Sequence, residues 1–157
     1  MGFATYDMEI SSPVPAAELF RAIVVDAETF LPKIFPQVIA SHVTIEGDGG
    51  PGTIKQINSS DGKYVKERTD AIDREKFMYA YTAIEGEVLA NTFEKISYEF
   101  SFGASPDGGS ICKSSTKYYS ISDTEIKKEE IEARKQNALA MFKVIEEYLL
   151  ENPDAIN

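Results

Sequence analysis

The two side-chain types that most often carry chemistry occur once each, as His42 and Cys112. One imidazole and one thiol cannot build a catalytic triad or a zinc cluster. His42 lies beside a glycine-rich loop with no thiol or carboxylate at a metal-ligand spacing. It is expected to be a surface histidine or one with its hydrogen bonds satisfied. Cys112 alternates onto the same face as Ser114 and is expected to be a small wall residue, not a nucleophile. The loop itself, Gly47-Asp48-Gly49-Gly50-Pro51-Gly52, has the composition of a phosphate cradle. Such a cradle needs a helix N-terminus behind it and a Lys-Ser/Thr at the helix start. Here Thr53-Ile54-Lys55-Gln56-Ile57 continues as strand, and Asp48 sets a negative charge among the amides. The loop is therefore expected to be a tight connection between neighbouring strands.

What remains is a set of phenols, carboxylates and lysines interleaved with hydrocarbon. Alternation places Tyr79, Tyr81 and Ala83 on one strand face, and Ile96, Tyr98 and Phe100 on one face of another. Val65 goes with Glu67, and Lys55 with Ile57. Phe20, Ile23, Phe30, Lys135, Leu139 and Phe142 are expected to point inward from helices. A dry core rarely spends three tyrosines and several charges on inward positions, because each buried polar group needs a partner. A ligand pocket has apolar walls carrying a few polar groups that orient its guest. From these residues alone, an ordinary core with tyrosine tips reaching solvent and a ligand pocket both stand.

The elements that must position this set begin with the C-terminal stretch from about Glu125 to Glu151. Ile131, Ala138, Phe142, Ile145 and Leu149 recur at helical steps, with Lys135 on the same row. Ser122-Asp123-Thr124-Glu125 fits a capping box at its start, and Asn152-Pro153 ends it. About 25 residues at ~1.5 Å rise make a helix of roughly 38 Å, long enough to demand something broad beneath it. The rest of the chain supplies a sheet. Phe3–Ile10 alternates as a strand, with Tyr6, Met8 and Ile10 on one side. Ala16–Val25 and Ala27–Phe35 are expected to be short helices, the second interrupted by Pro32. Strands are expected over Pro36–Glu46, Ile54–Asn58, Tyr64–Ile72, Phe77–Ile84, Phe93–Phe102 and Ser110–Ile121, most of them linked by turns. Hairpin-linked strands are antiparallel, and helices on one face of such a sheet make an α+β fold.

With 157 residues, 43% hydrophobic and 27% charged, the chain has the composition of one globular domain spanning 1–157. A net charge of −10 argues against nucleic acid or an anionic membrane surface as partner, and for monomeric behaviour. The lone cysteine fits a reducing cytosol, and no stretch reaches the ~18 apolar residues of a membrane span. The expectation is a cytoplasmic protein without a metal or cofactor.

The run Ile45-Glu46-Gly47-Asp48-Gly49-Gly50-Pro51-Gly52-Thr53-Ile54-Lys55 resembles the signature loop of the plant pathogenesis-related class-10 proteins, the family of the major birch-pollen allergen. The similarity continues in family order through Pro15-Ala16-Ala17-Glu18-Leu19-Phe20, Tyr64-Val65-Lys66-Glu67-Arg68, Ala104-Ser105-Pro106-Asp107-Gly108-Gly109-Ser110 and Ile145-Glu146-Glu147-Tyr148-Leu149-Leu150. It covers essentially the whole chain. The turn over Ser59–Lys63 is shorter than in the birch allergen, which bears on ligand preference, not on fold. The resemblance implies a seven-stranded antiparallel sheet wrapped around the long helix, with two short helices in a V, enclosing a hydrophobic cavity: the helix-grip fold. It tips the inward set toward the pocket reading.

The function implied is an intracellular defence protein and allergen that stores or carries flavonoids, cytokinins, steroids or fatty acids. The ligand-contacting set would be Phe20, Ile23, Phe30, Lys55, Ile57, Val65, Glu67, Tyr79, Tyr81, Ile96, Tyr98, Phe100, Cys112, Lys135, Leu139 and Phe142. Two enzymatic alternatives come with the family. Ribonuclease activity would use the positions matching Lys55, Glu94, Glu146 and Tyr148. A norcoclaurine-synthase-like activity would need a cavity lysine. Lys113 lies near that position but alternates outward, which leaves Lys55 and Lys135 as the inward lysines.

Overall fold

The computed structural model describes residues 2–122 and 125–155. Its strands are β1 (Phe3–Ser12), β2 (Ile39–Glu46), β3 (Ile54–Ser59), β4 (Tyr64–Asp73), β5 (Met78–Gly86), β6 (Phe93–Ala104) and β7 (Ser110–Ser120). They form one antiparallel sheet in the order β1-β7-β6-β5-β4-β3-β2. Sequence neighbours from β2 to β7 are neighbours in space, as short turns dictate. Strand β1 alone crosses over, pairing β7 at the opposite edge from β2. That crossover carries the helices between β1 and β2.

Those helices differ from the sequence expectation in detail. The first is α-helical only over α1 (Ala16–Phe20) and continues as a π-helical stretch, Arg21–Val25. The second, α2 (Ala27–Ile34), runs through Pro32 without interruption. Proline removes one helical donor, and the short helix persists because Phe30 and Ala27 are buried beneath it. The next strand begins at Ile39, not Pro36, because the amides of Val38 and Ile39 both donate to the Phe35 carbonyl in a turn.

The long helix α3 spans Lys128–Glu151. It starts three residues later than expected, since Glu125, Ile126 and Lys127 are not helical. The expected capping box includes Asp123 and Thr124, which lie outside the described residues. Burial along α3 is uneven. Phe142, Ile145 and Leu149 are buried, whereas Ile131, Lys135 and Leu139 keep part of their surface open and Ala138 is exposed. The C-terminal half therefore seals a core and the N-terminal half roofs open space.

Two apolar clusters bracket that space. One joins Leu19, Phe20, Val24 and Phe30 to Phe102, Cys112, Phe142, Ile145 and Leu149. The other joins Ala83, Phe93, Ile96 and Tyr118, with Ile131 and Leu89 against them. The backbone of α3 comes closest to α2, not to any strand. There Phe30 meets Tyr148 edge-on at 5.7 Å.

The glycine loop is a strand connection that consumes its own amides. Gly49 N–H donates to Thr53 Oγ1 at 2.8 Å and Gly50 N–H to Asp48 Oδ1 at 3.0 Å. Gly52 N–H reaches the Thr69 carbonyl, and Thr53 N–H the Gly50 carbonyl. An anion cradle needs those donors free. Gly47 has φ +101°, and a Cβ there would sit 2.7 Å from the Thr53 Cα, so no other residue fits.

Candidate functional site: a hollow between sheet and helix

The registers line up inward-facing side chains in rows across the sheet. One row runs Lys55, Glu67, Ala83, Ile96, Tyr118 over β3 to β7. The next runs Tyr81, Tyr98, Thr116 and Tyr6, and a third Tyr79, Phe100, Ser114 and Met8. The aromatic members make a continuous wall. Tyr81 stacks on Tyr98 at 4.7 Å between ring centroids and contacts Tyr79 at 5.4 Å. Phe100 contacts Tyr79 at 5.8 Å and Phe102 at 5.6 Å.

Glu67, Tyr81 and Tyr98 show what this wall encloses. Each lies deep enough that loss of hydration dominates its titration. The Glu67 carboxyl is pushed up to about 7, tempered by Lys55, and both phenols are raised. Yet each keeps part of its surface open. A group surrounded by protein that still has free surface borders an internal hollow. Among the described residues none of the three polar tips has a hydrogen-bond partner. Tyr79 differs: its hydroxyl shares a 3.0 Å hydrogen bond with Thr69 Oγ1.

The other expected residues fall into two groups. Ile57, Val65, Phe100 and Leu139 are half-buried around the same space. Phe20 and Phe30 are buried in the helix-end core, Phe142 and Cys112 nearly so, and Ile23 packs partly buried against it. Ile96 is fully sealed within the second cluster. These back the walls and set their positions. Burial holds the Cys112 thiol up at about 11, so it is no nucleophile at neutral pH. Lys135 stands over the Tyr6 ring at 5.0 Å, with its ammonium held charged by the Tyr6 hydroxyl.

Lys55 and Tyr79 also line a hollow of about 330 Å³ that opens beside the glycine loop, with Glu28, Thr44, Ile72 and Arg74. Val24 and Val25 border it too, so it lies between that loop and the short helices. A roomier depression of about 600 Å³ is bordered by Asp7, Glu9, Glu99, Ser101, Lys113 and Ser115 together with Met8, Met78, Phe100 and Ser114. Its lining mixes charged and apolar side chains. Lys113 points outward there, as alternation predicted, and pairs with Glu9 at 3.9 Å.

Residues missed at the sequence level come mostly from β1, β7 and α3: Tyr6, Met8, Ser114, Thr116, Tyr118 and Arg134. The alternation of Tyr6 and Met8 was visible, but not the pairing of β1 with β7. Arg134 donates to the Val88 carbonyl at 2.8 Å and lies 5.0 Å from the Phe93 ring. It pins α3 over one end of the sheet. His42 contradicts its expectation. It is buried, and among the described residues neither ring nitrogen has a hydrogen-bond partner. Burial lowers its pKa to about 4, aided by Lys55 and opposed by Glu28. It turns inward because its partner in the register is the inward-facing Ile57.

The four family ribonuclease positions are not brought together. Glu94 adjoins Phe93, which packs under Arg134 near the start of α3, whereas Glu146 and Tyr148 lie near its end beside α2. Twelve helical residues separate Arg134 from Glu146, or about 18 Å along the axis.

The family model described as Pathogenesis-related protein Bet v 1 family matches residues 1–152. The chain belongs to this family. Major allergen Pru av 1 of Prunus avium is 49% identical over 160 aligned positions, covering all of both chains. Major pollen allergen Bet v 1-C of Betula pendula is 47% identical with the same coverage. Among solved structures, that of Ara h 8.0201 superimposes with a TM-score of 0.88 at 38% identity, covering 96% of this chain and 100% of that one. The Bet v 1 architecture, an open sheet gripping a long C-terminal helix, is the one described above. Within the described residues, no helix is long and apolar enough to cross a membrane.

Proposed function

We propose that this Bet v 1 family protein is a carrier or store for amphipathic hydrophobic metabolites of the flavonoid, cytokinin, steroid or fatty-acid type, held between sheet and helix. The observation that carries the reading is the state of Glu67, Tyr81 and Tyr98: deep, bordering open space and, among the described residues, without protein hydrogen-bond partners. Buried polar groups left in this condition cost stability unless a guest or water meets them. Aromatic and aliphatic walls around three such groups match the composition of small-molecule sites. Lys55 lines the hollow beside the glycine loop and Lys135 lies near the Tyr6 end.

Burying ~200 Å² of apolar ligand surface at about 25 cal/mol/Å² yields roughly 5 kcal/mol before the costs of association. Alone that corresponds to a Kd of roughly 0.2 mM, so tighter binding draws on the polar contacts and selectivity is permissive. The allergens among its relatives support an allergen as well, a property of exposed surface such as the glycine loop. The single cysteine supports residence in a reducing compartment such as the cytoplasm, and the strong negative charge supports a monomer. Small molecules released from protein purified out of its native tissue, identified by mass spectrometry, test the reading directly. Recovery of no aromatic or lipidic compound, together with no saturable binding of a flavonoid in vitro, would overturn it.

A further inference from the structure

Glu67 stands in the register opposite Lys55 on one side and Ala83 on the other. Among the described residues its carboxylate forms no ion pair and no hydrogen bond, and Lys55 forms no ion pair either. The groups that face Glu67 are Lys55 from β3, Tyr79 and Tyr81 from β5, and Tyr98 from β6. From α3, Arg134 acts on Tyr98 while donating to the Val88 carbonyl, and Lys135 is engaged with Tyr6. Among the described residues Lys55 is thus the one cation acting on this unpaired acid, which three phenols surround. An anionic guest entering here meets a carboxylate that a single lysine must already balance.

We propose that Glu67 is the specificity-determining residue of the hollow: it couples entry of an anionic ligand to uptake of one proton, and leaves entry of neutral ligands uncoupled. The inference rests on the carrier reading. Above neutral pH an anion and an ionised Glu67 share a low-dielectric space with one lysine, and protonation of Glu67 relieves the repulsion. The position of the carboxyl's titration makes this coupling act around neutral pH. Uptake of fatty acids and other carboxylates would tighten on acidification, while that of neutral phenols would not. By linkage, anion affinity falls by up to about tenfold per pH unit above the titration of Glu67.

Two fluorescent probes sharing one ring system test this: 1-anilinonaphthalene-8-sulfonate, whose sulfonate stays charged, and the neutral N-phenyl-1-naphthylamine. Both are titrated into the full-length protein at pH 5.5, 7 and 8.5, and into Glu67→Gln. The expected result is a sulfonate affinity that falls at least tenfold from pH 5.5 to 8.5 in the native protein and less than threefold in Glu67→Gln. The neutral probe should move less than threefold in both. Calorimetry of the native protein at pH 7.5, in two buffers of different ionisation heat, should show proton uptake with the sulfonate alone, and this needs no variant. Equal pH slopes in native and Glu67→Gln protein, or no proton uptake with the sulfonate, overturn the coupling while leaving the carrier reading intact. Failure of both probes to bind at every pH overturns the carrier reading and the coupling with it.

Discussion

The rings of Tyr81 and Tyr98 lie 4.7 Å apart and 17° from parallel, on adjacent strands in direct register, and neither hydroxyl has a hydrogen-bond partner among the described residues. The stack fixes the wall by ring contact, so the hydroxyls are left over for something else. In Tyr98→Phe the ring contact survives and the hydroxyl is lost. Affinity for a polyhydroxylated flavonoid, measured by calorimetry, should weaken by about 1 kcal/mol, near fivefold. Thermal stability should hold or rise. An unchanged affinity would remove Tyr98 from the contact set.

Two leucines on α3 separate its roles. Leu149 is 2% exposed in the helix-end core, whereas Leu139 keeps open surface over the hollow. Leu149→Ala should cost about 2–5 kcal/mol in urea unfolding, because it removes packed atoms and leaves a void. Leu139→Ala should cost about 1 kcal/mol or less, since part of its surface already faces free space. Equal losses would mean the N-terminal half of α3 is packed as tightly as the C-terminal half.

His42 should make the fold acid-sensitive. Its folded-state pKa, about 4, lies below the 6.5 of an unburied histidine. The unfolded chain therefore binds the proton first as pH falls. The stability due to neutral His42 is complete above 6.5 and is lost as pH drops toward 4, by roughly 3 kcal/mol. His42→Leu should flatten that part of the pH–stability profile from denaturant melts. An unaltered slope between pH 6.5 and 4 would place the acid sensitivity elsewhere.

Glu67 should act with the opposite sign. Its carboxyl titrates near 7 in the fold against an ordinary 4.5, so its contribution is complete below 4.5 and is lost as pH rises through 7. The span corresponds to about 3 kcal/mol at most, less where water enters the hollow. Glu67→Gln should therefore gain stability over the native protein at pH 8 and gain little at pH 4.5. A loss at pH 8 would show that the ionised carboxylate has a stabilising partner in solution.

Much of the architecture was legible because its periods are local. Alternation in Phe93–Phe102 and Tyr79–Tyr81, turn residues such as Pro106-Asp107-Gly108-Gly109, and the helical row of Phe142, Ile145 and Leu149 each declare an element without reference to its neighbours. The misjudged boundaries lie where nonlocal packing outweighs propensity. Pro32 remains helical because Phe30 is buried beneath it, and Ile39 begins its strand late because the Phe35 carbonyl claims two amides.

Sequence alone determined the succession of strands and helices, the facing of β3 to β7 and the outward turn of Lys113, since all follow from spacing along a chain of fixed geometry. Only the tertiary structure decided that β1 joins β7, which brings Tyr6 and Met8 into the wall. It alone buried His42 with no hydrogen-bond partner among the described residues and set Glu67 across from Lys55 without pairing them. These outcomes depend on which distant segments meet and how much space they leave between them. A one-dimensional pattern of residues does not contain that quantity.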